Sequence, residues 1–125
     1  MIVYVDTHVL VWLYYGETEK LSLSAQKAIE DHDLVASSMA ILEIELLHEI
    51  GRIRHSASTL LSSLEKSIDL RICELPFHQV VTQSLKENWT RDPFDRLIVA
   101  NAKVASAPLI SKDERIRKHY RRAVW

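Results

Sequence analysis

A three-layer α/β/α sandwich around a short, mostly parallel sheet is the fold class this sequence points to. Two observations lead there. Short apolar runs (Ile2–Val5, Leu34–Ala36, Pro108–Ile110) have no polar face, as expected of strands covered on both sides. Between them lie stretches with helical spacing of apolar residues, the alternation that produces βαβ units. Only two glycines and three prolines occur, which leaves little room for linkers or a turn-rich all-β fold. At 125 residues the chain is read as one domain, residues 1–125, with enough length for a core that needs no staples.

The first strand, Ile2–Val5, stops at Asp6-Thr7, and Val9–Tyr15 then reads as an apolar helix. A polar break, 16–20, precedes an amphipathic helix over Leu21–His32, capped by Ser22 or Ser24. Ser37 or Ser38 caps a helix running to about Ile50, with Gly51 as its stop. Ser56–Ile68 places Leu60, Leu61, Leu64 and Ile68 on one face. Arg71–Leu75 alternates like an edge strand, and Pro76 opens a helical stretch over Phe77–Leu85. Asp92-Pro93 has the signature of an N-cap and first helical residue, for a helix through about Ala105. A last helix follows over Asp113–Tyr120, and Ala123–Trp125 closes a sheet edge.

Cys73 is the single cysteine, so no internal disulfide can form, which favours a reducing compartment such as the cytoplasm. No run of apolar residues is long enough to span a membrane. Net charge is −1 but unevenly spread: residues 1–50 hold two basic and nine acidic residues, and 51–125 hold fourteen and eight. A basic second half permits a local surface for nucleic acid, although a solvated charged helix has the same composition.

The informative residues are carboxylates. In the helix after Ser38, Glu43 falls inside an expected buried stripe of Met39, Leu42, Leu46, Leu47 and Ile50, where an acid is out of place unless paired or bound to a cation. Glu45, His48, Glu49 and Arg52 share the opposite face and read as solvated charge. Asp92 needs no role beyond capping, whereas Asp95 opens a helix that is apolar nearly all round. Asp6 and Asp113 follow strands. In a parallel sheet those strand ends and helix starts lie on one side, so Asp6, Glu43, Asp95 and Asp113 are expected to share a narrow cleft. Such a cleft holds a proton or a cation. Its donors are hard oxygens with no zinc-like Cys or His spacing, which selects Mg²⁺ or Mn²⁺ and suits phosphate chemistry. Arg96, Lys112 and Arg115 flank the acids and are placed to steer a polyanion.

Four segments resemble the PIN-domain nucleases, and among them the VapC-type toxins of bacterial toxin–antitoxin pairs. They are Val3–His8, Ser37–Ile44, Arg91–Ala100 (RDPFDRLIVA) and Leu109–Asp113, in family order along nearly the whole chain. Asp-Pro-Phe-Asp-Arg before an apolar helix is the most specific of them. The resemblance implies an endoribonuclease that uses Mg²⁺ or Mn²⁺ to cut single-stranded RNA. Its four metal-holding acids match Asp6, Glu43, Asp95 and Asp113. Thr7 matches a supporting hydroxyl, and Asp92 a supporting or capping acid. It further implies a cytoplasmic protein with a cognate antitoxin as partner and a homodimeric state. The one departure is Ser111-Lys112, where relatives often carry threonine and a small residue. Two other classes compete with the nuclease. An interaction module that mainly binds an antitoxin would use Trp12, Tyr14 and Tyr15 as a groove. A phospho-acceptor receiver domain wants an acidic pair after the first strand, and here Asp6 is followed by Thr7-His8.

Overall fold

Five parallel strands frame the computed structural model, which describes residues 1–125. They are β1 (Ile2–Val5), β2 (Asp33–Ala36), β3 (Arg71–Ile72), β4 (Leu109–Ile110) and β5 (Ala123–Val124), in the spatial order β3-β2-β1-β4-β5. β1 pairs with β2 through Val3↔Leu34 and with β4 through Val5↔Ile110. The chain thus builds outward from β1 to β3, then returns to lay β4 on the other side of β1. That reversal leaves a crevice beyond the carboxyl ends of β1 and β4, the position where open sheets bind ligands.

The helices are α1 (Thr7–Tyr14), α2 (Leu23–Asp31), α3 (Ser38–Glu49), α4 (Ala57–Ile68), α5 (Phe77–Ser84), α6 (Pro93–Val104) and α7 (Glu114–His119). Alternation along β1 explains the layers. Val3 and Val5 point to one face and pack with Val9 and Leu10 of α1, Ala25 of α2, Ile44 of α3, and Leu60 and Leu64 of α4. Tyr4 points to the other face and packs with Ile98, Val99 and Ala102 of α6, Leu109, and Ile116 of α7. The sheet is parallel throughout and buried on both faces, hence the unbroken apolar runs of its strands.

Caps set the helix starts. Ser22 Oγ accepts from Ala25 N–H, Ser37 Oγ from Met39 N–H and Ser56 Oγ from Thr59 N–H. Gly51, with φ +80°, ends α3 in a conformation that favours glycine. Two expectations are corrected. The edge strand Arg71–Leu75 shrinks to Arg71–Ile72, because Cys73 Sγ turns inward to accept from the Tyr4 hydroxyl and Asn101 Nδ2, both at 3.0 Å. The stripe assigned to α3 is rotated. Ala40 and Ile44 face the core, while Leu42, Leu46 and Ile50 are 48%, 37% and 67% exposed. Apolar residues cover most of the α3 circumference, so spacing alone could not select the inward line, and the small Ala40 takes the place against the sheet.

Candidate functional site at the strand ends

Asp6 is the first residue beyond β1 and is buried. Its carboxylate is locked from two sides. Oδ1 accepts from Thr7 N–H at 2.8 Å, capping α1, and Oδ2 accepts from Ser111 Oγ at 2.7 Å across the β1–β4 crevice. Ser111 Oγ also accepts from Asp113 N–H at 3.1 Å, joining the turn after β4 to Asp6. Burial pushes the Asp6 carboxyl above the ordinary carboxylate range, while the hydrogen bonds from Ser111 and Thr7 pull it back in part. The Thr7 hydroxyl is buried with no hydrogen-bond partner. It lies close enough to Glu43 to favour that carboxylate's charged form, yet outside hydrogen-bonding geometry.

Glu43 lies half-buried on α3. Desolvation raises its pKa, the Asp6 charge adds to the rise, and His8 opposes it. Asp95 lies half-buried in the first turn of α6. Burial first, then the charges of Asp92, Asp6, Asp113 and Glu43, lift it from 3.8 to about 7. Asp92 is exposed and caps α6, accepting from Phe94 N–H at 2.8 Å. Asp113 is exposed and caps α7, accepting from Arg115 N–H at 2.8 Å and Ile116 N–H at 3.0 Å.

Asp6, Glu43, Asp92, Asp95 and Asp113 thus act on one another through a shared field. They do not close on a point: no three acidic, histidine or cysteine side chains stand as an ion cage. Two carboxylates 4 Å apart repel by about 4 kcal/mol at an effective dielectric of 20, so acids that share a crevice favour a proton or a cation between them. The donor set fits a hard divalent cation: carboxylate oxygens, one of them buried, beside an orphaned hydroxyl.

The flanking cations are treated unequally by the fold. Arg96 Nε donates to the Glu87 carbonyl at 3.0 Å, so this side chain is tied to backbone. Lys112 is exposed, with its ammonium 5.9 Å from the Trp12 ring centroid. Arg115 is exposed and its Nη2 donates to the Trp89 carbonyl at 2.5 Å. Sequence reasoning missed the Ser111 contact to Asp6, although a serine directly after a buried strand at the sheet reversal was the available signal. It also missed Glu87, 1% exposed, which accepts from Lys103 Nζ at 2.8 Å and Trp89 Nε1 at 2.9 Å and steadies the loop before Asp92.

Against known proteins, the family model for the PIN domain matches residues 3–122. Ribonuclease VapC22 of Mycobacterium tuberculosis is 31% identical over 119 residues, which cover 94% of this chain and 91% of that one. Among solved structures, a toxin-antitoxin complex from Klebsiella pneumoniae superposes with a TM-score of 0.71 at 19% identity, over 98% of this chain and 96% of that one. VapBC2 from Rickettsia felis, bound to a DNA fragment from its promoter, does so with 0.60 at 16% identity, over 94% and 92%. At those identities the structural likeness speaks for the fold, and the sequence matches speak for descent. The chain belongs to the PIN-domain family.

Proposed function

We propose that the chain is an endoribonuclease dependent on Mg²⁺ or Mn²⁺ that cuts single-stranded RNA, and that it is the toxin of a toxin–antitoxin pair. The observation that carries this reading is the field around Asp95. Five acids from separate parts of the chain face the crevice at the sheet reversal, and burial, with the charges of the other four, raises the pKa of Asp95 to about 7. A relative that is a ribonuclease, and structural neighbours that are toxin–antitoxin complexes, support the same reading.

Asp6, Glu43, Asp95 and Asp113 would hold the ion, with Thr7 and Asp92 in support. When bound, Mg²⁺ or Mn²⁺ supplies positive charge that polarises a phosphoryl oxygen and makes water a better nucleophile at neutral pH. The chain's own contribution is orientation. Ser111 and Thr7 N–H fix both Asp6 oxygens, so this carboxylate offers one geometry to whatever it binds. Asp95, whose pKa burial and its acidic neighbours raise to about 7, would serve the ion in its ionised form. Lys112 and Arg115, exposed beside Asp113, draw in the phosphate backbone. The partners in this reading are RNA, a protein antitoxin and a second copy of the chain, in the cytoplasm.

Incubating a mixed RNA pool with the protein and Mn²⁺ or Mg²⁺ should give cleavage that EDTA and Asp6→Asn abolish. Cleavage that persists in either case refutes the assignment. A second reading is favoured by the exposed apolar face of α3, where Leu42, Leu46 and Ile50 reach solvent. In it the chain is mainly a binding module for its antitoxin, with Trp12, Tyr14 and Tyr15 at a groove. Tight antitoxin binding with no Mn²⁺ uptake by calorimetry would favour that module over the nuclease.

A further inference from the structure

The residues from Ser111 to the end of the chain carry Lys112, Arg115, Arg117, Lys118, Arg121 and Arg122, all exposed. None of them takes part in an ion pair, since the four pairs of the molecule are Lys20–Glu17, Lys27–Asp31, Arg71–Asp69 and Lys103–Glu87. A run of solvated cations is ordinary by itself. Here an aromatic stack accompanies it. The rings of Trp89 and His119 lie parallel, 4.7 Å apart and 4° from coplanar in orientation. Arg115 flanks the same indole, its guanidinium carbon 5.9 Å from the ring centroid. Glu87 holds the indole N–H, so the platform is rigid, while the imidazole on it is exposed.

The stack is continuous with the acids on one side and with a cationic hollow on the other. Asp113 caps the turn that bears Arg115, and Arg115 grips the Trp89 carbonyl. Beyond His119, a cavity of about 630 Å³ is lined by Lys103, Ser106, His119, Tyr120, Arg121 and Arg122, with no acid among them. Core packing calls neither for an exposed imidazole laid flat on an indole nor for arginines without an acidic partner around a hollow, where Arg122 donates only to the Ser106 carbonyl. Stacking surfaces beside a cationic track are how proteins hold unpaired nucleotides without reading sequence.

We propose that α7 and the Trp89 corner form an RNA-holding surface. His119, stacked on Trp89, receives an unpaired base, and Arg115, Lys118, Arg121 and Arg122 receive its phosphates. Single-stranded RNA then runs from the Asp95–Asp113 cleft along α7 to the Arg121–Arg122 hollow. α7 is roughly 9 Å long, so the track takes about two phosphates. This inference rests on RNA being the substrate and assigns where the strand lies.

The test uses full-length protein carrying Asp6→Asn, so that RNA survives, and a short fluorescein-labelled single-stranded RNA. Affinity is read by anisotropy over a range of salt. Adding His119→Ala should weaken binding about tenfold with an unchanged salt slope, as loss of one stacked base does. Adding Lys118→Ala and Arg121→Ala together should reduce the slope by about 1.4, two phosphates' worth for a single strand. Lys27→Ala, on α2, serves as the control and should change nothing. Both test variants binding like their parent, at the same slope, would overturn the proposal. So would a blunt DNA duplex binding as tightly as the single strand, with His119→Ala without effect. If the protein with Asp6 intact cleaves RNA while binding ignores these variants, the nuclease reading stands and the platform falls. If RNA binds through the platform and no cleavage occurs, the platform stands and the nuclease reading falls.

Discussion

Replacing Asp95 by asparagine should make the metal-free protein more stable above neutral pH, the reverse of what most substitutions in a folded core do. Its pKa rises from 3.8 to about 7 through burial and the charges of Asp92, Asp6, Asp113 and Glu43. A displacement of that size corresponds to about 4 kcal/mol between the two protonation states. Asp95 is only half-buried, and screening by solvent reduces this to roughly 2 kcal/mol. The sign follows from proton uptake. Between pH 4 and 7 the folded chain holds the Asp95 proton and the unfolded chain does not, so stability falls as pH rises through this window and is level above it. An asparagine side chain carries no charge at any pH. The advantage of Asp95→Asn should therefore be near zero at pH 4 and grow to roughly 2 kcal/mol by pH 8, about 8 °C in Tm. Paired urea or thermal melts in EDTA across that range measure it. Excess Mn²⁺ should then raise the Tm of the parent and leave the variant's nearly unchanged. A variant no more stable than its parent at pH 8, or a difference independent of pH, would show that the acids do not share a field.

Other expectations follow from single contacts. Ser111→Ala removes a hydroxyl donor from a buried carboxylate and should lower stability by about 2 kcal/mol, read from urea midpoints; a change under about 0.5 kcal/mol would mean that Asp6 does not depend on it. Burial alone would raise Glu87, but Lys103, Trp89 and Gln83 together lower it, so its contribution is present above the ordinary glutamate range and lost as pH falls through the lowered value. Glu87→Gln should consequently cost stability at pH 7, by about 2 kcal/mol with a partly solvated Lys103, and flatten the acid limb of the stability–pH curve. Leu46→Glu, on the exposed side of α3, should leave the melting temperature within a few degrees, and, if the proposed second copy docks on this face, should lower the sedimentation coefficient to that of a monomer; a parent protein that sediments as a monomer would dispose of the homodimer.

What could be read from residues alone divides along physical lines. Ile2–Val5 and Leu34–Ala36 announce themselves because a strand covered on both faces has no polar position to confuse the pattern. Asp92-Pro93 announces a helix start, and the pairs Ser22/Ser24 and Ser37/Ser38 narrow two more to within a residue or two, because capping is local chemistry between neighbours in sequence. The inward face of α3 could not be read, since Met39, Ile41, Leu42, Leu46 and Ile50 surround a line that only the sheet selects. Glu45 reads as solvated charge, yet its Oε1 accepts from Ala57 N–H at 3.0 Å and helps to start α4, a contact between helices that no spacing within one helix contains. The acids at strand ends were readable from the parallel topology. The Ser111–Asp6 bond, across 105 positions of sequence, was not.

Three of the acids around the crevice are also the N-caps of α1, α6 and α7: Asp6, Asp92 and Asp113. Each leans on the amide hydrogens of the helix it begins, so part of its negative charge is already answered by backbone before any cation arrives. On the proposed reading, helix anchorage and the holding of a cation would fall to the same carboxylates. Alanine at these positions would loosen a helix while it silences a carboxylate, and the two losses would look alike in an activity assay. Asparagine keeps the anchorage and removes only the charge. In this architecture the choice of replacement residue decides whether an inactive variant says something about catalysis or merely about folding.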